Sequence, residues 1–484
     1  MANNTQDCPF PSPRLPVSGA TLEHLGGHKT ALALGMVASG AAALFISAHW
    51  SIALAGAVAV LVLSAIESEA FLLFVIFLMP FGWMLPGAMA VRNVHVVFHA
   101  LVVVGFFAGR LLRGQARKGH LFHPMVSRAS LWFLCAAVAP TILRKGELTH
   151  ESLRSDWDLV AFVGFYFVVL AWVDSRQRLR KVLWALLFST VVTAVFAYYQ
   201  EIIGGFGSLW LYLYPPDDHF AGWEGRAAGL LGSANSLAVY LDLVLPFALA
   251  CYLLGRGKWK KLGGWTFGLG FVALLTTQGL GGILAFVAIL VLAIFCFARS
   301  RKKRLVLLAG LCALVCLFYL LGPILNPVHS DKAVGSDMLT RLLLWGSAWN
   351  FFMHSPVIGV GWGNFAAFYD PDLPFMAGVL AVHNIYLQLL AETGLVGFVA
   401  FFYLFVQSWR QARSQWHSSI DFLDGALAFG VLGALLSVLV QGVTDFPFQT
   451  NPQFGTLFWV LLALLVASGR LQGKIESGSL SSER

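Results

Sequence analysis

Residues 337–365 read DMLTRLLLWGSAWNFFMHSPVIGVGWGNF, and residues 383–402 read HNIYLQLLAETGLVGFVAFF. Met338, Leu342, Trp345, Trp349 and Phe352 recur at steps of three and four, the spacing of one helix face, and Thr340, Ser347, Asn350 and His354 fall opposite. Ser336 or Asp337 can cap the start, and Pro356 disfavours helix at Ser355 and so ends it. Such a helix is too mixed to cross a bilayer and is expected to lie in the interface plane. A glycine-rich turn (Gly359, Gly361, Gly363) follows, then a loop, then His383 and Asn384 at the mouth of a strongly apolar run. An arginine (Arg341), a histidine and an asparagine are thereby gathered where membrane meets water.

The composition agrees with a membrane setting. Of 484 residues, 58% are hydrophobic and 12% charged, and the mean hydropathy is +0.75; a soluble protein carries about twice that charge. The formal charge of +8 would hint at nucleic acid in a soluble chain. Here the basic residues cluster in short loops between apolar runs, the positive-inside pattern, so no nucleic-acid partner is expected. The six cysteines are scattered and form no CxxC or metal spacing, which reads as small buried hydrophobes.

Apolar runs fall near 30–48, 51–66, 70–90, 94–112, 129–143, 158–173 and 182–203, then 227–254, 262–277, 279–298, 305–325, 385–409, 423–443 and 454–468. They predict an all-α polytopic membrane protein with about 12–14 transmembrane helices, two of the shorter runs being open to a re-entrant or merged reading. The basic clusters at 110–118, 176–181, 256–261, 299–304 and 410–413 all follow even-numbered runs. That alternation places them, and both termini, in the cytoplasm. The organisation expected is a disordered cytoplasmic tail over 1–29, an N-terminal bundle over 30–325, and an extracytoplasmic catalytic loop over 326–384. C-terminal spans over 385–468 and a cytoplasmic tail over 469–484 complete it. No Walker loop or dinucleotide fingerprint appears, which argues against a nucleotide-driven mechanism.

The outward loops carry few charges near the membrane. Arg226 opens RAAGLLGSANSLAVY, with Gly229 and Asn235 close behind it, and Arg341 sits on the interfacial helix. His383 and Asn384 open a later span that contains Glu392 and Gly394, and Asp445 lies in the last outward loop. An arginine at a lipid boundary can simply snorkel, and a histidine at a helix start can be a cap or filler. Two arginines framing one loop system with a histidine between them also suit chemistry. A guanidinium grips phosphate with several donors at once, and histidine can take a proton from a hydroxyl. Pro215-Pro216-Asp217-Asp218-His219 can hold a divalent ion but is equally a turn and cap signal, so no metal is assigned. Asp242, inside a span, is either functional or paired with a neighbouring polar group.

At these residues the chain resembles the O-antigen ligase family. The matches are R-x-x-x-W-x-x-A (Arg341, Trp345, Ala348), P-x-x-G-x-G-x-G-N-F (Pro356 to Phe365), H-N-x-x-L-x-x-x-x-E-x-G (His383 to Gly394) and R-x-x-G followed by Asn (Arg226, Gly229, Asn235). The resemblance implies a GT-C-like integral-membrane glycosyltransferase of a bacterial inner membrane. It would move a glycan from undecaprenyl pyrophosphate, on the periplasmic face, without nucleotide, metal or other cofactor. The acceptor would be lipid A core in a ligase, the growing glycan in a polymerase, or a protein hydroxyl, and membrane lipids surround the whole.

In that frame His383, Arg226 and Arg341 are the candidate catalytic residues. The candidate substrate-binding set is Arg226, Arg341, Asn235, Asn384, Glu392 and Asp445, with Asn384 and Glu392 in supporting positions. The chain departs from the family at Leu280, in Thr276-Thr277-Gln278-Gly279-Leu280-Gly281-Gly282, where the resemblance implies another arginine. Arg341 or Lys332 then supplies the second cation, or the donor is held differently. A lipid-linked glycan transporter and a structural assembly partner are the readings from other classes.

Overall fold

The computed structural model describes residues 48–81, 88–114, 121–122, 124–143, 150–202, 226–231, 233–325, 333–365, 382–445, 448, 452–476 and 478. Regular structure among them is helical throughout. The helices are α1 (Ala48–Ala65), α2 (Glu69–Phe77), α3 (Ala88–Leu112), α4 (Met125–Leu143), α5 (His150–Trp172), α6 (Arg176–Ile202) and α7 (Ala234–Leu254). They continue with α8 (Lys258–Thr276), α9 (Leu280–Phe297), α10 (Arg301–Leu325), α11 (Ala333–His354), α12 (Ile385–His417), α13 (Phe422–Gln441) and α14 (Pro452–Glu476). The chain divides into two units, 1–62 and 63–484, and everything below concerns the second.

The protein is an all-helical polytopic membrane protein, with fewer clear spans than the apolar runs predict. Among the described residues eight helices are long and apolar enough to cross a bilayer, or nine if α1 and α2 count as one broken span. Two physical reasons account for part of the difference from 12–14. The run at 70–90 stops as helix at Phe77 and turns through Met79–Phe81, and nine residues reach only about 13 Å of a ~30 Å core. The helix α8 opens with Lys258, Lys260 and Lys261, which takes its start out of the hydrocarbon. The expected run at 30–48 falls, apart from Ala48, outside the described residues.

The core of the bundle is α7, buried along most of its length with Asp242 inside it, and packed against α13 and α8. The helix α9 lies on α13, α12 bridges α13 and α4, and α14 lies on α5. Basic loops gather at one end of this bundle. There Arg110 pairs with Glu67 at 2.8 Å and donates to the Ala171 carbonyl, and Arg176 pairs with Asp421 (2.6 Å) and Asp424 (3.0 Å). Trp259 stacks near Phe422 and Phe297 near Trp416, which brings the starts of α8 and α10 to the same end.

The helix α12 is broken. Gly394 takes φ 60 and ψ −165, so Ile385–Thr393 and the segment from Leu395 onward are two helical pieces. The glycine-rich turn after α11 fills the break. The Leu395 and Val396 amides donate to the Pro356 and Val357 carbonyls (2.8 and 3.1 Å), and the Val360 and Gly361 amides donate to the Ala391 and Glu392 carbonyls (2.9 and 2.8 Å). The two backbones touch: a Cβ on Gly394 would stand 2.4 Å from the Val357 carbonyl group, and one on Gly359 would stand 2.3 Å from the Glu392 carbonyl carbon. Gly394→Ala is therefore expected to cost more than about 1 kcal/mol, from positive φ and from backbone collision together. Gly473→Ala, with nothing within 4 Å of the added Cβ, is the control and should leave stability unchanged or raise it. Thermal melts of the two variants in one detergent test this, and equal melting temperatures would rule out the backbone contact as a stabilising feature.

Candidate functional site

At the end of the bundle opposite the basic loops, four turns converge. Arg226 precedes the 3-10 turn Gly229–Leu231 that leads into α7. Its Nε donates to the Thr277 carbonyl (2.7 Å) and its Nη2 to Asn235 Oδ1 (2.9 Å). The turn behind it is pinned by Gln200 at the end of α6, whose Oε1 accepts from the Ala228 and Gly229 amides (3.2 and 2.8 Å). The start of α9 lies against this arginine: a Cβ on Gly279 would be 3.7 Å from Arg226 Nη2 and from Asn235 Oδ1. Gly279 caps α9 with no side-chain hydrogen bond. The first-turn amides of a helix lack intrahelical acceptors and carry its positive end.

Arg341 comes to the same surface from α11. Its Nη1 donates to the Thr444 carbonyl (2.7 Å) in the turn after α13. Thr444 also abuts the start of α9, since a Cβ on Gly281 would stand 2.4 Å from Thr444 Oγ1. Arg226, the α9 start, Thr444 and Arg341 therefore form one continuous run of contacts, with both arginines half-buried.

His383 and Asp445 close the group. His383 Nδ1 lies 3.3 Å from Asp445 Oδ1, and the imidazole is 34% exposed against 15% for the carboxylate. With the proton on Nδ1 this bond leaves Nε2 as the acceptor, the tautomer a general base needs. The His383 backbone sits at φ 53, a left-handed conformation uncommon outside glycine and stored most often at functional positions. Asn384 fixes it there. Its Oδ1 accepts from the Tyr386 and Leu387 amides at 3.0 Å each, capping α12, and its Nδ2 donates to the Val443 carbonyl (3.1 Å).

The structure thus brings His383, Arg226, Arg341, Asn235 and Asp445 together, with Asn384 beneath them as a cap. Glu392 stands apart from this surface. It is 1% exposed, and its carboxylate accepts from the Gly363 and Phe365 amides (3.0 and 3.2 Å) and from Gln388 Nε2 (3.1 Å). The face of α11 also differs from its sequence reading. Leu344 and Ala348 are the buried row, packed with Phe365, Val382 and Ala391, and Trp345 and Phe351 lie beside them. Leu342 and Trp349 of the expected stripe are about half exposed. Both stripes are apolar, one packed against protein and the other open to the outside.

Leu280 is the first residue of α9 and 52% exposed, so no cation occupies that position. Lys332 and the Pro215–His219 segment lie outside the described residues. Among the described residues no cluster of three or more His, Cys, Asp or Glu could hold a metal. Sequence reasoning missed Gln200, Thr444 and Gln388; the only available signal was an uncharged polar side chain at the end of an apolar run.

Residues 265–402 match the family model described as O-Antigen ligase. That stretch is similar to the O-antigen ligase family. The matched stretch runs from α8 into α12 and contains the α9 start, Arg341, the glycine-rich turn and His383, while Arg226, Asn235 and Asp445 lie outside it. The chain is 24% identical over 328 residues to the teichuronic acid biosynthesis protein TuaE of Bacillus subtilis (strain 168), covering 63% of each chain. It is 28% identical over 307 residues to the exopolysaccharide production protein ExoQ of Rhizobium meliloti (strain 1021), covering 59% of this chain and 66% of the relative. The similarity therefore spans just under two thirds of either relative.

Because Asn384 caps α12 through two amides, Asn384→Ala is expected to lose about 0.5–2 kcal/mol. Asn384→Asp keeps the acceptor oxygen and should retain most of that stability. Thermal unfolding of both variants measures the cap, and an unchanged melting temperature for the alanine variant would show it to be dispensable.

Proposed function

We propose that the protein transfers a glycan from an undecaprenyl-pyrophosphate-linked donor to an acceptor hydroxyl, at the end of the bundle that carries Arg226, Arg341 and His383. The observation that carries this reading is the convergence of two arginines, a bare helix start and a His–Asp pair from five separate stretches of chain. Glycosyl transfer from a pyrophosphate needs those parts. The acceptor oxygen attacks the anomeric carbon as its proton passes to His383 Nε2. The bond from that carbon to the pyrophosphate oxygen breaks, and the pyrophosphate leaves with the electron pair and the configuration inverts. Arg226 and Arg341 stabilise the charge that grows on the leaving group, and Asp445 orients His383 and stabilises its protonated form. The positive start of α9 stands where the Leu280 position lacks an arginine.

The acceptor we favour is a growing polysaccharide chain, as the names of TuaE and ExoQ both concern polysaccharide production. Ligation to lipid A core is the alternative acceptor for the same site. The positive-inside pattern supports an inner-membrane protein with this end periplasmic and both termini cytoplasmic.

Purified protein given a lipid-linked oligosaccharide and an acceptor should release undecaprenyl pyrophosphate; no release with either acceptor would defeat the enzyme reading. Arg226→Ala and Arg341→Ala are each expected to lower turnover by about 10²-fold or more. Lysine should rescue poorly because a point charge lacks the guanidinium fork. Near-normal turnover in Arg226→Lys would return that residue to a snorkelling role. His383→Ala should lose roughly 10²–10⁴-fold in turnover while donor binding persists. If donor binding disappears and turnover per bound donor is unchanged, the histidine belongs to the pyrophosphate instead.

A further inference from the structure

A second site lies on the wall of the bundle, away from the surface described above. Between α4 and the later piece of α12 runs a groove of about 740 Å³, lined by Arg128, Trp132 and Ala136 on one side and Val357, Val396 and Tyr403 on the other. Trp132 is 71% exposed, and Val357, Val396 and Tyr403 are also open to the outside. In a membrane protein such a wall faces hydrocarbon, so a lipid chain fills the groove.

Its length and its one charge select the lipid. The lining of α4 runs from Met125 to Ala136, a rise of about 16 Å at 1.5 Å per residue. That is about half of a ~30 Å hydrocarbon core, the depth of a single leaflet. Arg128 stands in the first turns of α4, exposed. Its Nη2 meets a thioether, Met125 Sδ at 2.8 Å, and it makes no ion pair among the described residues. At this end of the bundle Arg110 pairs with Glu67, and Arg176 with Asp421 and Asp424.

The groove's charged end is the basic-loop end. Ser127 bonds Tyr166, which lies towards the α5 terminus at Trp172, whereas Thr141, at the far end of α4, lies against Gly361. The charge is thus at the opposite end from Arg226 and Arg341, so a donor lipid with its pyrophosphate on those arginines does not present phosphate here.

We propose that this groove binds an anionic phospholipid from the leaflet at the basic-loop end, one acyl chain along α4 and α12 and the phosphate on Arg128. A chain seated there packs on Val396, the second residue after the break in α12, and on Val357, whose carbonyl takes the Val396 amide. The lipid therefore buttresses the junction between the glycine-rich turn and α12.

The test is native mass spectrometry and thermal melting of the delipidated protein with phosphatidylglycerol or phosphatidylcholine of identical chains. Phosphatidylglycerol should bind about tenfold more tightly, because its headgroup keeps a net negative charge that the choline ammonium cancels in phosphatidylcholine. It should also raise the melting temperature more, with the preference shrinking at high salt. Arg128→Gln should abolish the preference, and Ala136→Trp should block both lipids. If Ala136→Trp does not fold, Val399→Trp fills the same groove from the α12 side. Equal binding of the two lipids by the unaltered protein, or an intact preference in Arg128→Gln, would overturn the proposal. So would displacement of phosphatidylglycerol by a polyisoprenyl phosphate at equal concentration, which would hand the groove to an isoprenoid chain.

Discussion

Backbone groups that leave a helix inside a bilayer have no water to turn to and must be satisfied by the protein itself. The break at Gly394 creates that need, and the turn at 356–363 meets it with four backbone hydrogen bonds. Glu392 adds a fifth and sixth connection by accepting from the Gly363 and Phe365 amides. The turn follows α11 directly and the broken helix opens at His383, so this junction sets where Arg341 stands relative to the histidine. Glycine at 359 and 394 is a requirement of that contact, since a single added carbon on either would overlap a main-chain carbonyl.

The sequence was legible wherever the argument ran along the chain. The helix ending before Pro356 and the apolar run beginning at Ile385 are local features, and the structure has both. What it could not show was which apolar stripe of α11 faces protein. Periodicity separates apolar from polar, and at a membrane boundary both protein and lipid are apolar, so the row through Leu344 and Ala348 has the same signature as the row through Leu342 and Trp349. The glycines read only as a turn because the partner backbone, at 391–394, is some thirty residues away in sequence. The run at 70–90 read as one span because hydropathy does not register the local break after Phe77.

The candidate site divides along the same line. Residue types pointed to Arg226, Arg341 and His383, because guanidinium suits phosphate and imidazole can take a hydroxyl proton. Their partners were invisible, since Thr277, Thr444 and Asp445 are brought in by packing of helices rather than by spacing. Asp445 is 62 positions from the histidine it orients. What Glu392 supports was equally invisible: its hydrogen bonds go to the loop that closes the break in its own helix.

Three arginines at the basic-loop end and the two at the candidate site are held by different acceptors. At the basic-loop end Arg110, Arg176 and Arg178 sit against carboxylates within 3.6 Å, pairs in which each cation is matched by an anion. At the candidate site the bonds that hold Arg226 and Arg341 run to the Thr277 and Thr444 carbonyls and to the Asn235 amide oxygen. A neutral oxygen fixes the direction of a guanidinium without itself neutralising it. The start of α9 adds its partial positive charge to the same surface. In the proposed transfer such a surface would stand in place before the pyrophosphate arrives, leaving little reorganisation for the moment when charge moves onto the leaving group.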